Sequence, residues 1–183
     1  MLEIVILGRG GQGAQTAGNQ LARALFDEGL FVQVFATYGG ARRGTPVASS
    51  LRADARPIRL RSDITQADAL LCFDESLLTQ AFVERGREGA LVVVNSPRET
   101  DAFEQWARRI LPVDGKAIAQ RNDMGKVVNS ALLGAFTAAL GQPSLEAMCA
   151  VIEATAPTKV AQNIAACREA HGLIAGQLEE ATI

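Results

Sequence analysis

The sequence predicts an α/β fold with a mixed, mostly parallel sheet flanked by helices and a helical C-terminal third. Short apolar runs, typical of buried parallel strands, alternate with segments in which apolar residues recur at helical spacing. Beyond the last of these runs, three helix-period segments follow one another. A chain of 183 residues is long enough to bury one well-packed core, so we expect a single domain over residues 1–183.

The first elements form a strand–helix–strand unit. Ile4–Leu7 is a short apolar run typical of a buried strand. A helix is predicted from Ala14, where apolar residues begin to recur at helical spacing, up to the helix stop at Gly29. Phe31–Ala36 is predicted as the second strand, and the glycine- and arginine-rich segment Thr37–Pro46 as a loop. Such a unit is the building block of a parallel sheet with helices on its faces.

The remainder of the chain predicts five further strands and four helices. Val47–Ala53 and Ile58–Leu60 flank a turn at Asp54–Pro57 and predict an antiparallel hairpin attached to the parallel sheet. Buried-strand runs follow at Ala69–Phe73, Ala90–Val94 and Ile110–Val113. Helix-period segments lie at Ser76–Arg85, Val127–Leu140, Ser144–Ala154 and Pro157–His171.

Composition excludes several functional classes. Lys and Arg total 18 against 20 Asp and Glu, a formal charge of -2, so the chain lacks the basic field that draws proteins to nucleic acid. No apolar run approaches the roughly 18–20 residues of a membrane-spanning helix. The N-terminus shows neither the basic region nor the apolar region of a signal peptide, so we expect a cytoplasmic protein.

The three cysteines are expected to be structural. Cys72, Cys149 and Cys167 are widely separated, and two of them fall on apolar helical or strand faces. A reduced cysteine in such a place behaves as a small hydrophobic side chain. Because the chain has no C-x-x-C motif, it cannot supply by itself the four thiolates of an iron–sulfur cluster.

A glycine loop is the sharpest local motif. Gly8-Arg9-Gly10-Gly11-Gln12-Gly13 lies between a predicted strand and a predicted helix, the position of the phosphate-binding loop in Rossmann-like folds. Its glycines permit a tight turn and close backbone approach, and free N–H groups at the helix start favour an anion such as phosphate. A purely structural turn is the alternative interpretation.

A free-standing NAD or FAD protein is a second hypothesis for this loop. A dinucleotide site needs an acidic residue about 20 positions further on, at the end of the second strand, to hold the ribose hydroxyl. The sequence has Gln33–Thr37 there, and the nearest acidic residues, Asp27 and Glu28, precede that strand. The ribose contact is therefore missing from the sequence.

Other polar residues suggest weaker candidates. Arg42 and Arg43, followed by Gly44, could clamp a carboxylate, a phosphate or an acidic patch of a partner, because guanidinium groups are planar forks of donors; a solvated surface turn is the alternative. Asp74-Glu75 could act as paired carboxylates, but capping of a following helix needs fewer assumptions. His171 is interpreted as a helix-end or interface residue rather than a catalytic one.

Taken with the glycine loop, the arginine loop resembles the gamma family of pyruvate (2-oxoacid):ferredoxin oxidoreductases. Members begin with a strand, a G-x-G-G-Q-G loop and a small-residue helix, followed by an R-R-G or R-G-G element and then a small residue, proline or threonine, and valine. The matching segments here span nearly the whole chain: Gly8–Gly13, Arg42–Val47, Pro57–Ser62, Ala67–Leu71 before Phe73-Asp74, Lys126–Asn129 before Leu133-Gly134-Ala135, and Lys159–Ala166.

One departure from the family pattern concerns Ala41, where many members carry a glutamate before the two arginines. A carboxylate that could orient Arg42 is therefore absent. The R-R-G-x-P-V form is more similar to pyruvate or broad 2-oxoacid enzymes than to 2-oxoglutarate enzymes, and the substrate stays open between them.

The resemblance implies an assembled enzyme that decarboxylates a 2-oxoacid with coenzyme A, passes electrons to ferredoxin and releases an acyl-CoA. It places thiamine diphosphate and the iron–sulfur clusters on alpha, beta and ferredoxin-like delta partner subunits, so this chain alone is expected to be inactive and to hold no metal. A gamma chain contributes to coenzyme A binding and to assembly; a non-catalytic assembly module is the remaining alternative. The candidate coenzyme A residues are Gly8, Arg9, Gly10, Gly11, Gln12, Gly13, Arg42, Arg43 and Gly44.

Overall fold

A computed structural model describes residues 1–38, 44–106 and 109–180 of the chain. Its strands are β1 (Leu2–Arg9), β2 (Phe31–Tyr38), β3 (Pro46–Asp54), β4 (Ala67–Cys72), β5 (Gly86–Asn95) and β6 (Ile110–Val113). Its α-helices are α1 (Ala14–Asp27), α2 (Gln80–Val83), α3 (Gly115–Arg121), α4 (Asn129–Leu140), α5 (Leu145–Thr155) and α6 (Val160–Glu180). Two 3-10 segments lie at Glu75–Leu77 and Thr100–Trp106.

The strands form one sheet in the order β2-β3-β1-β4-β5-β6. β1, β4, β5 and β6 pair in parallel, whereas β3 is antiparallel to both of its neighbours, β1 and β2. The predicted α/β class, with a mixed and mostly parallel sheet and a helical C-terminal third, is therefore confirmed.

The predicted hairpin has the wrong partner. Val47–Ala53 does form an antiparallel strand, but it pairs with β2, in an unbroken register from Phe31 opposite Asp54 to Tyr38 opposite Val47, and with β1 on its other edge. Both edges of β3 are thus occupied, and no edge is available to Ile58–Leu60, which has no regular secondary structure. Alternating apolar residues indicated a strand but could not indicate which strand it pairs with.

The helix predicted at Ser76–Arg85 is also wrong. The chain there forms the 3-10 segment and the four-residue helix α2, each begun by a side-chain cap, because Asp74 accepts from the Ser76 N–H and Thr79 accepts from the Phe82 N–H. Helix α3 was not predicted. It is capped by Asp114, whose carboxylate accepts from the Ala117 N–H at 2.9 Å.

The two faces of the sheet are covered differently. Side chains such as Ile4 and Ile6 point to the face that carries α1 and α3 to α6, while Val5 between them points to the face covered by α2 and the 3-10 segments. Alternation along a strand explains this division. None of the helices in the described ranges combines the length and the apolar character that crossing a membrane requires.

Arg52 fixes the inserted strand β3 in place. Its side chain is only 1% exposed and donates from Nε to Glu3 of β1 at 2.7 Å and from Nη1 to Gln33 of β2 at 3.2 Å. The guanidinium also lies over the Phe35 ring, 5.8 Å from its centroid. The buried charge is therefore paired and hydrogen-bonded to both neighbouring strands, as a charge in such a place must be.

The closest helix packing is between α4 and α6. A methyl group added at Gly134 of α4 would lie 2.0 Å from the backbone oxygen of Cys167 in α6. Only a residue without a side chain permits this approach. The contact fixes the position of α4 relative to α6.

We expect the Gly134→Ala substitution to lower the free energy of unfolding by about 1–3 kcal/mol, because the new methyl group forces α4 and α6 apart. Urea denaturation measures this. The matched control is Gly172→Ala in α6, where a methyl group would meet nothing within 4 Å and should raise stability by about 0.5–1 kcal/mol. A Gly134→Ala protein as stable as the parent would contradict the described packing.

Candidate functional site

A large cavity of about 710 Å³ lies at the carboxyl edge of the parallel strands. The chain leaves β1 towards β2 on one side and leaves β4 towards β5 on the other, so β1 and β4 mark the point where the strand order reverses. Ligands of open α/β sheets commonly bind in the crevice at this point. The cavity is lined by the turn after β1, by the segments that follow β4 and β5, and by the turns that precede α4 and α6.

The glycine loop forms a strand-to-helix turn, as predicted. Gly8 and Arg9 still belong to β1, and the turn that follows is closed by a 2.9 Å bond from the Gln12 N–H to the Arg9 carbonyl. Gly11 and Gly13 have φ values of +95° and +92°, which residues other than glycine rarely adopt. Gly13 occupies the N-cap position of α1 and has no side chain to accept from the first-turn amides. An anion could accept from them instead.

Asp74 holds this loop from the neighbouring strand. Its Oδ2 accepts from Arg9 Nε at 3.0 Å and from Gln12 Nε2 at 3.1 Å, and Oδ1 accepts from the Ser76 hydroxyl at 2.6 Å. Partial burial raises the pKa of Asp74, but the hydrogen bonds from Ser76, Gln12 and Arg9 together outweigh it and hold the pKa below its usual value. Asp74 is therefore an ionised structural acceptor and helix cap, in agreement with the capping interpretation.

The neighbouring acid is engaged in the same way. Glu75 forms an ion pair with Arg98 and accepts from the Ser96 hydroxyl at 2.6 Å. Because both carboxylates have protein partners, neither is poised as a general acid or base.

The base of the arginine loop is attached to the glycine loop. The Gly10 N–H donates to the Thr45 carbonyl at 2.9 Å, and Arg9 Nη1 donates to the Gly44 carbonyl at 3.3 Å. Arg42 and Arg43 lie outside the described residues, so their part in the site stays a prediction. Their nearest described neighbour, Gly44, has a φ of +86°.

The predicted residues divide between two cavities. Gly11, Gln12 and Gly13 line the large one, whereas Arg9 and Gly10 line a smaller one of about 290 Å³ that shares Gly11 and Gly13 with it. Gly8 is enclosed, because a methyl group there would lie 2.9 Å from Cβ of Ala14 and 3.2 Å from Cβ of Phe73. Gly8 thus lets α1 pack closely against β1.

All three lysines of the chain, Lys116, Lys126 and Lys159, line the large cavity. They come from the C-terminal half of the chain, whereas the glycine loop lies near its N-terminus. Within the described ranges neither Lys116 nor Lys126 lies within 4.0 Å of a carboxylate oxygen. Sequence reasoning did not assign these lysines to the site, although two of them lie in segments that carry the family resemblance.

Three long helices begin at this cavity. Gly13 stands at the start of α1, Val128 at the start of α4 and Lys159 at the start of α6. The positive ends of the three helix dipoles therefore point towards one space, where they favour a negatively charged group.

Asn163 joins two of these helix starts. Its Nδ2 donates to the carbonyls of Thr158 and Lys159 at 3.1 and 3.0 Å, and its Oδ1 accepts from the Ser130 hydroxyl of α4 at 2.6 Å. Because its amide is neutral and offers both donors and an acceptor, Asn163 connects the turn before α6 to α4 without placing a charge there. The asparagine of the predicted C-terminal helix thus supports the cavity wall.

The described residues do not form a standard dinucleotide site. β3 lies between β1 and β2, so the end of β2 is about 10 Å, two strand spacings, from the end of β1. Even an acidic residue at the end of β2 would be displaced from the ribose of a nucleotide held at the glycine loop.

The described residues contain no group of three or more His, Cys, Asp and Glu side chains that could hold a metal ion. Cys72, Cys149 and Cys167 are buried, which confirms the core interpretation. Burial raises the pKa of Cys72 to about 12. A hydrogen bond from the Cys167 thiol lowers the pKa of Cys149 to about 7, and this bond and burial raise the pKa of Cys167 itself.

Known proteins are similar to this chain over nearly its whole length. The profile of the pyruvate ferredoxin/flavodoxin oxidoreductase family matches residues 3–173. The common gamma subunit of the pyruvate/ketoisovalerate oxidoreductases of Pyrococcus abyssi is 36% identical over 176 residues, which cover 93% of this chain and 95% of that protein. The pyruvate synthase subunit PorC of Methanothermobacter marburgensis is 35% identical over 173 residues, 93% of this chain and 96% of that protein.

Solved structures have the same fold. The pyruvate oxidoreductase subunit PORC of Thermotoga maritima superposes with a TM-score of 0.83 at 30% identity and covers 93% of this chain and 95% of that one. The 2-oxoglutarate:ferredoxin oxidoreductase of Magnetococcus marinus, solved with 2-oxoglutarate, coenzyme A and succinyl-CoA bound, has a TM-score of 0.76 at 21% identity. That match covers 96% of this chain and 31% of the larger one, and it supports the fold alone.

Replacing Asp74 by asparagine should lower the free energy of unfolding at pH 7 by about 1 kcal/mol, because Arg9 loses its charged partner. The folded pKa of Asp74 lies below its unfolded value of about 3.9. The difference in the free energy of unfolding between parent and variant therefore has its full size above that pH. It should shrink as the pH falls through the lower folded pKa. Urea denaturation at a series of pH values tests this, with the exposed Asp63→Asn as the control. A pH-independent difference would contradict the assignment.

Proposed function

This chain belongs to the pyruvate ferredoxin/flavodoxin oxidoreductase family, and from that premise we propose that it is the gamma subunit of a thiamine-diphosphate-dependent 2-oxoacid:ferredoxin oxidoreductase. The assembled complex decarboxylates a 2-oxoacid, joins the acyl group to coenzyme A and passes the electrons to ferredoxin. Support comes from relatives that match over nearly their full length and are themselves named gamma or PorC subunits of such enzymes. The substrate class is pyruvate or a related 2-oxoacid.

The contribution of this chain is to bind coenzyme A in the large cavity. The observation that carries this proposal is that all three lysines of the chain and the N-terminal ends of three long helices converge there. Coenzyme A carries a diphosphate and a separate 3′-phosphate, so its binding requires positive charge at more than one point of a cavity. A volume of about 710 Å³ lies within the range of small-molecule sites.

Each part of the cavity suits a different part of this ligand. The amides after Gly13 can donate to a phosphate at the start of α1. Lys116 and Lys126, which form no ion pair with the described residues, supply ammonium groups to the same cavity. Val127 and Val128 give the cavity wall an apolar surface for the uncharged arm of coenzyme A. Arg42 and Arg43 belong to the same proposal, because their loop is attached to the glycine loop through Gly44 and Thr45.

The redox cofactors belong to the partner subunits in this proposal. An iron–sulfur cluster requires several converging thiolates, whereas the cysteines here are buried side chains and two of them share a hydrogen bond. The alpha, beta and ferredoxin-like delta subunits therefore hold thiamine diphosphate and the clusters, and ferredoxin is the external acceptor. No residue of this chain is assigned to the chemical steps.

Assembly without ligand binding is a second candidate, favoured by one observation. The side chains of Arg9 and Gln12 donate to Asp74, so part of the glycine motif serves to hold the loop itself. If the loop is only structural, the complex would form normally and the lysines would not influence coenzyme A.

Purification of the tagged chain from its native source should recover the thiamine and iron–sulfur subunits, and the complex should reduce ferredoxin or a dye only with both a 2-oxoacid and coenzyme A. The chain alone should show no such turnover and no stoichiometric iron or thiamine diphosphate. Mass spectrometry, metal analysis and the dye assay measure these quantities. Turnover or stoichiometric iron in the isolated chain would overturn the proposal.

Within the complex, replacing Lys116 or Lys126 by alanine should weaken coenzyme A binding about tenfold or more, because each charge-assisted contact contributes roughly 1.5–3 kcal/mol. Arg42 and Arg43 should not be equivalent, since two side chains adjacent in sequence rarely reach the same partner. One alanine variant should weaken coenzyme A binding, and the other should loosen assembly.

Calorimetric titration and size-exclusion chromatography separate these effects. The control is Arg59→Ala, which removes an exposed positive charge that does not line the cavity. If the lysine and arginine variants all assemble and bind coenzyme A like the parent, the cavity is not its site.

A further inference from the structure

Lys159 is held by a carboxylate at the rim of the large cavity. Its Nζ donates to the Asp123 carboxylate at 3.0 Å and to the Asp123 backbone carbonyl at 2.5 Å, and the two residues are 36 positions apart in the chain. Asp123 lies in the turn after α3, and Lys159 lies directly before α6. Lys159 itself lines the cavity.

Both residues have an unfavourable backbone conformation. In the described part of the chain they are the two non-glycine residues with positive φ, +55° for Asp123 and +51° for Lys159. Aspartate tolerates this region better than most residues, whereas lysine gains nothing there that glycine or asparagine would not provide at lower cost. Strain of this kind persists where a side chain has a function that requires its position.

The charge of Lys159 is unfavourable as well. It stands at the start of α6, where the helix dipole is positive and an acidic or neutral capping residue is preferred. Lysine at this position therefore lowers the stability of the fold in two ways, through its backbone conformation and through its charge. A bound anion would remove the second cost, because it would neutralise the ammonium and the helix end together.

We infer that Lys159 is a phosphate-binding residue of the ligand proposed above, and that the Asp123 carboxylate is an internal competitor which the ligand's phosphate must displace. This inference rests on the proposed coenzyme A site. The side chains of Lys159 and Asp123 are 47% and 83% exposed, and an ion pair this open to water contributes little. A doubly charged phosphate next to a helix end can therefore replace the carboxylate.

The two residues must then act in opposite directions. Removing the charge of Lys159 removes a contact to the phosphate, so affinity for coenzyme A falls. Removing the charge of Asp123 removes the competitor, so affinity rises. A pair with a merely structural role would give a loss of affinity from both changes, since each would disturb the same turn.

The experiment uses Lys159→Asn and Asp123→Asn, because asparagine tolerates positive φ and each change mainly removes a charge. Titration of coenzyme A into the assembled complex should show about tenfold weaker binding for Lys159→Asn. It should show about two- to fivefold tighter binding for Asp123→Asn, the range that an exposed ion pair allows. In the Lys159→Asn background, Asp123→Asn should change nothing.

A second measurement separates binding from folding. Lys159→Asn should have a melting temperature equal to or above that of the parent, because it relieves strain and charge repulsion while it weakens binding. The control is Glu169→Gln, which breaks the Arg121–Glu169 ion pair between α3 and α6 at residues that do not line the cavity and should leave affinity unchanged.

The coenzyme A site and the role of Asp123 as a competitor are tested by different variants. If Lys116→Ala weakens coenzyme A binding but Asp123→Asn leaves it unchanged or weaker, the competitor role is wrong and the coenzyme A site stands. If neither Lys116→Ala nor Lys159→Asn alters binding, the site itself is wrong.

Discussion

Asp74 connects the two halves of the sheet at the edge where the site lies. β1 and β4 are neighbours in the sheet but far apart in sequence, and their carboxyl ends meet because parallel strands end at one edge. The Asp74 carboxylate at the end of β4 accepts from Arg9 and Gln12 at the end of β1, and it also caps the segment that carries the chain to β5. This one acceptor holds the glycine loop and the start of α1, which line the cavity together with Asp74 itself.

The other wall of the cavity depends on the packing of α4 against α6. Gly134 lets the two helices approach until backbone meets backbone, and Asn163 ties the turn before α6 to Ser130. The starts of these two helices line the same cavity as the start of α1. Such an arrangement favours an anion at more points than the glycine loop alone, because helix dipoles and lysines supply further positive charge.

Sequence reasoning predicted local elements better than their pairing. The strand runs, the turn after β1 and the start of α5 were recognisable, because apolar period and glycine act over a few residues. The last helix was recognisable too, but it begins at Val160 and not at Pro157. The Ile58–Leu60 strand was wrong, since pairing depends on which edge of β3 is free. The helix over Ser76–Arg85 was wrong because Asp74 and Thr79 each begin a separate short segment there.

The sequence by itself determined the family, the α/β class and the glycine turn, since each is written in residues close together in the chain. Only the tertiary structure decided the composition of the cavity. Lys116, Lys126 and Lys159 are ordinary charged residues in sequence, and their convergence follows from the packing of α3, α4 and α6 against the sheet. The structure likewise decided that Arg9 and Gln12 support the loop, because their partner, Asp74, lies 62 or more residues away. Contacts over such separations depend on the fold as a whole, and no local pattern encodes them.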